Sequence, residues 1–206
     1  VQTDGEDGLV WLYFKKNGNK VKDGTFDVKG QTYCFDANGA MITGFDATPS
    51  VASPSTIARY AREDGTMVKK GWIWALDEAE EDYHWYYAKG NGKLVRDCVT
   101  NIDGKKFAFN EDAEMLEGIV FVDDDKNIVT DNSATGWMYF AKENEDGHVW
   151  GSAYTGKSQV PVEDEDYKWT VNFTSYGVAK ITDYVDVKGF LYNDGILIKD
   201  YDQSWE

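Results

Sequence analysis

The sequence predicts an all-β protein, built as a β-hairpin repeat solenoid. Three observations carry this prediction. A short aromatic strand recurs along the chain, each recurrence runs into a polar turn centred on glycine, and a small apolar strand follows. Asn-Gly and Asp-Gly supply the positive φ that tight hairpin turns require. Alternate residues such as Tyr33 and Phe35, or Phe107 and Phe109, project from one face of a strand. Helix signals are thin, and ALDEAEED (75–82) reads as an acidic excursion between strands.

Taken in order, the clear copies are WLYFKKNGNKV (11–21), YCFDANGAMITG (33–44), RYAREDGTMVKKG (59–71) and WYYAKGNGKLV (85–95). Weaker ones follow as KFAFNEDAEMLEG (106–118), VFVDDDKNIVT (120–130), WMYFAKENEDGHVWG (137–151), WTVNFTSYGVAKI (169–181) and FLYNDGILI (190–198). The turn glycines are Gly18, Gly39, Gly65, Gly92, Gly147, Gly177 and Gly195, and Ala113 and Lys126 take that place in the degraded copies. Two positions beyond the turn stands an apolar residue: Met41, Met67, Leu94, Met115, Ile128, Val149 or Leu197. Three of the four methionines occupy this one slot.

A lone two-stranded hairpin is marginal in water and leaves its apolar face uncovered. Stacked hairpins cover one another, so the expected architecture is an array stabilised by nearest-neighbour contacts. ATPSVASPST (47–56) has two prolines and no periodicity and reads as a connection. The expected organisation is hairpin repeats over 1–46, a loop or linker over 47–57 and hairpin repeats over 58–206, as one continuous array. SAYTGKSQVPVEDEDY (152–167) separates two further copies.

Composition narrows the function. With 21 Lys and Arg against 37 Asp and Glu, the net charge is −16, which argues against nucleic acid and against an anionic membrane surface. No apolar run approaches the ~20 residues that span a bilayer, so no membrane insertion is expected. Such acidity often marks disorder, yet 8 Trp, 13 Tyr and 10 Phe indicate a folded chain. Cys34 and Cys98 form no CxxC and read as ordinary thiols, with a single long-range disulfide as the alternative.

These residues resemble the cell-wall-binding repeat family of Gram-positive bacteria. It includes the choline-binding modules of lysins, the glucan-binding repeats of glucosyltransferases and the C-terminal repeats of large clostridial toxins. The family unit runs roughly G-W, then W-Y-Y-F, then G-x-M-x-T-G. Here Gly71-Trp72 leads to Trp85-Tyr86-Tyr87 and Gly92-Lys93-Leu94, GWMYF stands at 136–140, and YCFDANGAMITGF at 33–45 matches the shorter form. The resemblance implies an extracellular, cell-surface-associated, non-catalytic module. Such a module attaches to wall polysaccharide, glucan or choline-substituted polymer. By this likeness the ligand-binding residues are Trp72, Trp85 and Tyr87 in one copy and Trp137 and Tyr139 in another, with Trp150 close by and Trp11 in a terminal copy. Thirteen residues separate Trp72 from Trp85, longer than the usual connection, and the next copy, KFAF, carries no Trp.

Each of these aromatics also has a packing role open to it, because aromatic faces dominate core energetics. A quaternary ammonium gains roughly 0.5–2 kcal/mol over an aromatic ring. A sugar instead stacks its C–H face on Trp while polar neighbours take its hydroxyls. The alternative to ligand binding is a structural or adhesive array with degraded sites that recognises a host or partner protein. The runs Asp123–Asp125 and Glu163–Asp166 could chelate calcium, but without a DxDxDG loop solvated turns are the plainer account. Neither His84 nor His148 sits in a recognised catalytic or metal pattern, and neither GxSxG nor a P-loop occurs. No enzyme activity, cofactor or metal ligand set is therefore read from the sequence.

Overall fold

Closely spaced turn residues in an aromatic-rich chain favour short antiparallel pairs, and the computed structural model is built from them. It describes residues 8–46, 59–77, 80–130, 133–144, 147–161 and 168–180, together with the strand backbones at 2–5, 184–185, 191–193 and 196–199. Among these residues there are strands and turns and no helix. The connection expected over 47–57, the Glu163–Asp166 run and the Gly195 turn lie outside them.

The strands divide between two compact units, residues 1–96 with 111–114, and residues 97–110 with 115–206. The first holds β1 (Gln2–Gly5), β2 (Gly8–Trp11), β3 (Gly24–Val28), β4 (Gln31–Phe35), β5 (Gly44–Asp46), β6 (Arg59–Ala61), β7 (Gly71–Asp77) and β8 (Asp82–Ala88), paired as four two-stranded antiparallel sheets. The second begins with β9 (Cys98–Ile102), β10 (Lys105–Phe109) and β11 (Met115–Leu116) in one sheet, followed by the pair β12 (Gly118–Val122) and β13 (Gly136–Phe140). Its remaining sheet holds β14 (Lys157–Pro161), β15 (Lys168–Asn172), β16 (Tyr184–Val185), β17 (Leu191–Asn193) and β18 (Ile196–Lys199) in the order β14-β15-β18-β17-β16.

Each repeat uses two kinds of connection, and the longer strand pairs are offset from the expected hairpins. At the expected turns the backbone reverses over a type I turn followed by one left-handed residue. The N–H of Asp36 donates to the Ala40 carbonyl at 2.9 Å, and the N–H of Gly39 donates to the Asp36 carbonyl at 3.0 Å. The same pair of bonds recurs around Gly18, Gly65, Gly92, Lys126 and Gly177. Ala113 and Lys126, which replace glycine in the degraded copies, adopt the left-handed conformation with φ of 69° and 70°. Beyond the glycine turns the chain makes a single bridge, such as Phe35 to Met41 or Ala61 to Met67, whereas beyond Ala113 two residues pair, Met115 with Phe109 and Leu116 with Ala108. The longer pairs close elsewhere, two of them over the two-residue turns Lys29-Gly30 and Asp103-Gly104, whose positive φ at both positions suits a type I′ hairpin.

The slot residues lock one repeat to the next. The N–H of Met41 donates to the Trp11 carbonyl, and that of Met67 to the Thr32 carbonyl, both at 2.8 Å. The side chain of Met41 then lies over Gly65 and that of Met67 over Gly92, where a Cβ would stand 2.6 Å from the Met67 Cε. Glycine at 92 therefore serves twice, for its φ of 81° and for the room it leaves the methionine. Within the second unit Met115 lies over Gly151 in the same way. That copy departs from its expected register. The segment 141–150 lengthens the return, so Ala153 rather than Val149 bridges to Phe140, and Val149 is exposed.

The first unit's core gathers Val68, Ile73, Ala75, Tyr86, Ala88, Leu94 and Ala113, with Phe45 and Tyr60 against it. The second has two clusters, one around Val120, Val122, Met138 and Phe140 and one around Tyr139, Tyr154, Val171 and Phe173. Burying a side chain of this size stabilises by roughly 1.5–3 kcal/mol, so each repeat draws on several such contributions. Both cysteines are thiols. Cys34 is buried, with its Sγ 3.8 Å from the Met67 Sδ. Burial above all, then the Asp46 charge, pushes its pKa up to about 11, against a smaller opposing effect of Arg59.

Candidate ligand-binding site

The β7–β8 pair is longer than the other hairpins of the first unit, and its two faces differ in kind. Ile73, Ala75, Tyr86 and Ala88 point into the core, so the alternate residues Trp72, Trp74 and Leu76 on β7 point outward. The register sets Trp72 opposite Tyr87, Trp74 opposite Trp85 and Leu76 opposite Tyr83. The outward face thus carries five aromatic rings and a leucine, without an acid, an imidazole or an amine among them. Trp72 is 36% exposed, Trp74 47% and Tyr83 50%, an apolar surface that core packing leaves uncovered.

The rings form two distinct arrangements. Trp74 and Tyr83 lie nearly parallel, with centroids 5.7 Å apart and 22° between planes, and Trp85 tilts against Trp74 at 5.0 Å. Trp74 thus stands between Tyr83 and Trp85. Trp72 meets Trp85 at 87° and 6.2 Å and Tyr87 at 70° and 5.1 Å, which makes a corner. An exposed ring face suits the C–H face of a sugar, whereas rings set at right angles suit a quaternary ammonium. The thirteen-position offset from Trp72 to Trp85 is accounted for by the length of the two strands, which makes the pair diagonal neighbours rather than distant ones.

A second aromatic recess in the first unit has a volume of about 230 Å³ and is lined by Trp11, Tyr13, Tyr33, Phe35 and Met41 among others. In the second unit Trp137 is half-buried and edge-on to Phe173 at 5.4 Å. Tyr139 is only 2% exposed, with its ring edge-on to Tyr154 at 5.1 Å. Both residues thus pack with the core cluster, although Tyr139 also borders a cleft of about 450 Å³ lined by Glu117, Ile119, Lys142, Pro161 and Trp169. The Trp150 indole N–H donates to Glu117 at the rim of that cleft, and His148 stacks on Tyr154 at 3.7 Å. Asp123 has turn work to do. Its carboxylate accepts from the side chain and backbone of Asn127, both at 2.9 Å, and these bonds hold its pKa below the usual range.

No protein-family model matches the chain. In sequence it is 24% identical over 176 residues to Glucosyltransferase-S of Streptococcus mutans, an alignment that covers 69% of this chain and 11% of that protein. It is 26% identical over 161 residues to Glucosyltransferase-I of Streptococcus downei, covering 77% of this chain and 10% of that one. The chain thus spans about a tenth of the length of these relatives. Among solved structures, CbpJ from Streptococcus pneumoniae TIGR4 superposes with a TM-score of 0.58 at 18% identity, over 96% of this chain and 57% of that one. The modular autolysin LytC of S. pneumoniae gives 0.51 at 14% identity, over 94% and 37%. The chain shares the all-β hairpin repeat fold of these structures.

In this hairpin repeat fold the structure brings Trp72, Trp85 and Tyr87 together on one face, while Trp137 and Tyr139 lie in the other unit's core cluster. Trp74 and Tyr83 share the β7–β8 face and are absent from the set that the sequence resemblance suggests. Period-two alternation through Trp72, Trp74 and Leu76, and through Tyr83, Trp85 and Tyr87, is the signal that finds them. The structure also brings Glu80, His84 and Glu114 together, three residues in no recognised spacing pattern.

Proposed function

We propose that this chain is a non-catalytic binding module that attaches to a cell-wall polysaccharide, a glucan or a choline-substituted polymer through the aromatic face of β7–β8. The observation that supports this reading is the continuity of that face: Trp72, Trp74, Tyr83, Trp85 and Tyr87, with neighbouring rings 5.0 to 6.2 Å apart, the first three exposed and the last two half-buried, on a strand pair whose other face turns Ile73, Ala75, Tyr86 and Ala88 into the core. Because the face carries no carboxylate, imidazole or amine, what it offers is stacking and cation–π attraction, with two tyrosine hydroxyls at its edge as its polar groups. One such surface binds weakly, about millimolar or some 4 kcal/mol. Avidity on a repeating polymer multiplies this, provided that further sites such as the Trp11 recess engage at the same time. The streptococcal relatives point the same way on location, to an extracellular module at a cell surface.

The test is retention of the folded chain on purified Gram-positive cell walls, on insoluble α-glucan and on choline-substituted resin. Retention on at least one, lost on replacing Trp72 and Trp74 by Ala, is the expected outcome. Absence of retention on all three overturns the reading. Retention on glucan alone assigns the Trp74–Tyr83 pair, and retention on the choline resin assigns the Trp72 corner.

A further inference from the structure

The inner face of the same strand pair holds a cluster that neither core packing nor the aromatic face uses. His84 lies on β8 opposite Ala75, on the face away from Tyr83 and Trp85. Its Nε2 stands 3.4 Å from Oε2 of Glu80, in the β7–β8 connection, and 3.6 Å from Oε1 of Glu114. The three donor atoms all lie within 4.8 Å of one another, and all three residues belong to the first unit. His84 Nε2 is buried and makes no hydrogen bond. The Glu114 side chain is 9% exposed, and the Tyr86 hydroxyl donates to its Oε1 at 3.4 Å.

The Glu114 carboxylate is buried and that of Glu80 exposed, and each turns one oxygen toward the same imidazole nitrogen. A divalent cation among the three donors would engage all of them at once. Two ligands at about 2.05 Å from a tetrahedral ion stand roughly 3.3 Å apart, close to the two spacings seen at His84. An imidazole with two carboxylates suits zinc, whereas calcium calls for six or more oxygens. Tyr86 then fills the outer position that orients a ligating carboxylate.

We propose that Glu80, His84 and Glu114 form a Zn²⁺ site, with water completing the coordination. The ion ties the β7–β8 connection and the strand end to the 111–114 segment, so it braces the hairpin from the side opposite the aromatic face. The proposal does not depend on what that face binds.

The test uses the full chain, stripped with a chelator, dialysed, and titrated calorimetrically with Zn²⁺ alone in a non-coordinating buffer. One ion per chain at micromolar affinity or tighter is expected, with a rise in Tm and, for Co²⁺ in place of Zn²⁺, the intense visible absorption of four-coordinate cobalt. Glu80→Gln, at an exposed position, and His84→Ala should each weaken binding by about tenfold or more. Absence of Zn²⁺ uptake by the folded chain overturns the proposal. So does binding unchanged in Glu80→Gln and His84→Ala, or Ca²⁺ uptake equal to that of Zn²⁺, either of which marks a diffuse acidic surface.

Discussion

Trp74 and Trp85 are direct cross-strand partners, with ring centroids 5.0 Å apart on the outward face of β7–β8. One residue along β8, Tyr86 points the opposite way and is wholly buried. Adjacent residues of one strand thus serve two ends, a surface of rings on one side and the core on the other.

That division gives the first prediction. Trp74→Ala removes one exposed cross-strand pair and should cost about 1 kcal/mol of stability or less. Tyr86→Ala opens a cavity in the core and should cost about 3–5 kcal/mol. Urea unfolding monitored by circular dichroism checks both. Similar losses for the two would mean that Trp74 belongs to the core.

Gly18 and Gly92 share a φ of 81°, but a Cβ at Gly18 meets nothing within 4 Å whereas one at Gly92 meets Met67. Alanine at either position bears the left-handed cost of about 1–2 kcal/mol. At Gly92 the displaced methionine adds about 1–3 kcal/mol more. Gly92→Ala should therefore be the more damaging in denaturant melts, and Met67→Ala in the same chain should remove part of the difference. Equal effects at the two glycines would refute the locking role of the methionine.

Lys126 holds a φ of 70° without the freedom of glycine. Lys126→Gly should stabilise the chain by about 1 kcal/mol, because the strain relieved exceeds the backbone entropy lost. A raised urea midpoint would show this. Ala113, at φ 69°, does not share the prediction, since its methyl is fully buried in the first unit's core.

The Cys34 thiol, raised from 9.0 to about 11 in the folded chain, should react with disulfide reagents at pH 8 only as fast as the surrounding structure opens. The folded state keeps this proton more tightly than the unfolded one. Its contribution to stability is therefore present below pH 9 and lost as pH rises through about 11. Cys34→Ala should flatten that part of the stability profile, measured as urea midpoint against pH. An unchanged profile would contradict the assignment.

The repeat register was legible from short-range chemistry, because a turn that needs positive φ marks itself with glycine. The register even carries through Ala113 and Lys126, where the marker is gone and the conformation stays. Long-range pairing was less visible. Bridges beyond the glycine turns are single, so the longer strand pairs use other connections, such as Lys29-Gly30 and Asp103-Gly104. Trp74 and Tyr83 escape a motif comparison because they fall between its marked positions, although simple alternation places them with Trp72 and Trp85. Glu114 and His84 belong to different repeats, and only the folded chain brings their side chains together. The slot at Val149 fails for a local reason, the longer return through Gly151.

The central claim is that the β7–β8 rings are a binding surface, and the most direct test is a titration of soluble wall polymer or α-glucan read by Trp fluorescence. It compares the unaltered chain with the double variant Trp74→Ala/Trp85→Ala. The unaltered chain should give a saturable change, and the variant, with its fold verified by circular dichroism, should lose at least about tenfold in affinity, or some 1.4 kcal/mol. Undiminished affinity in the folded variant would contradict the account.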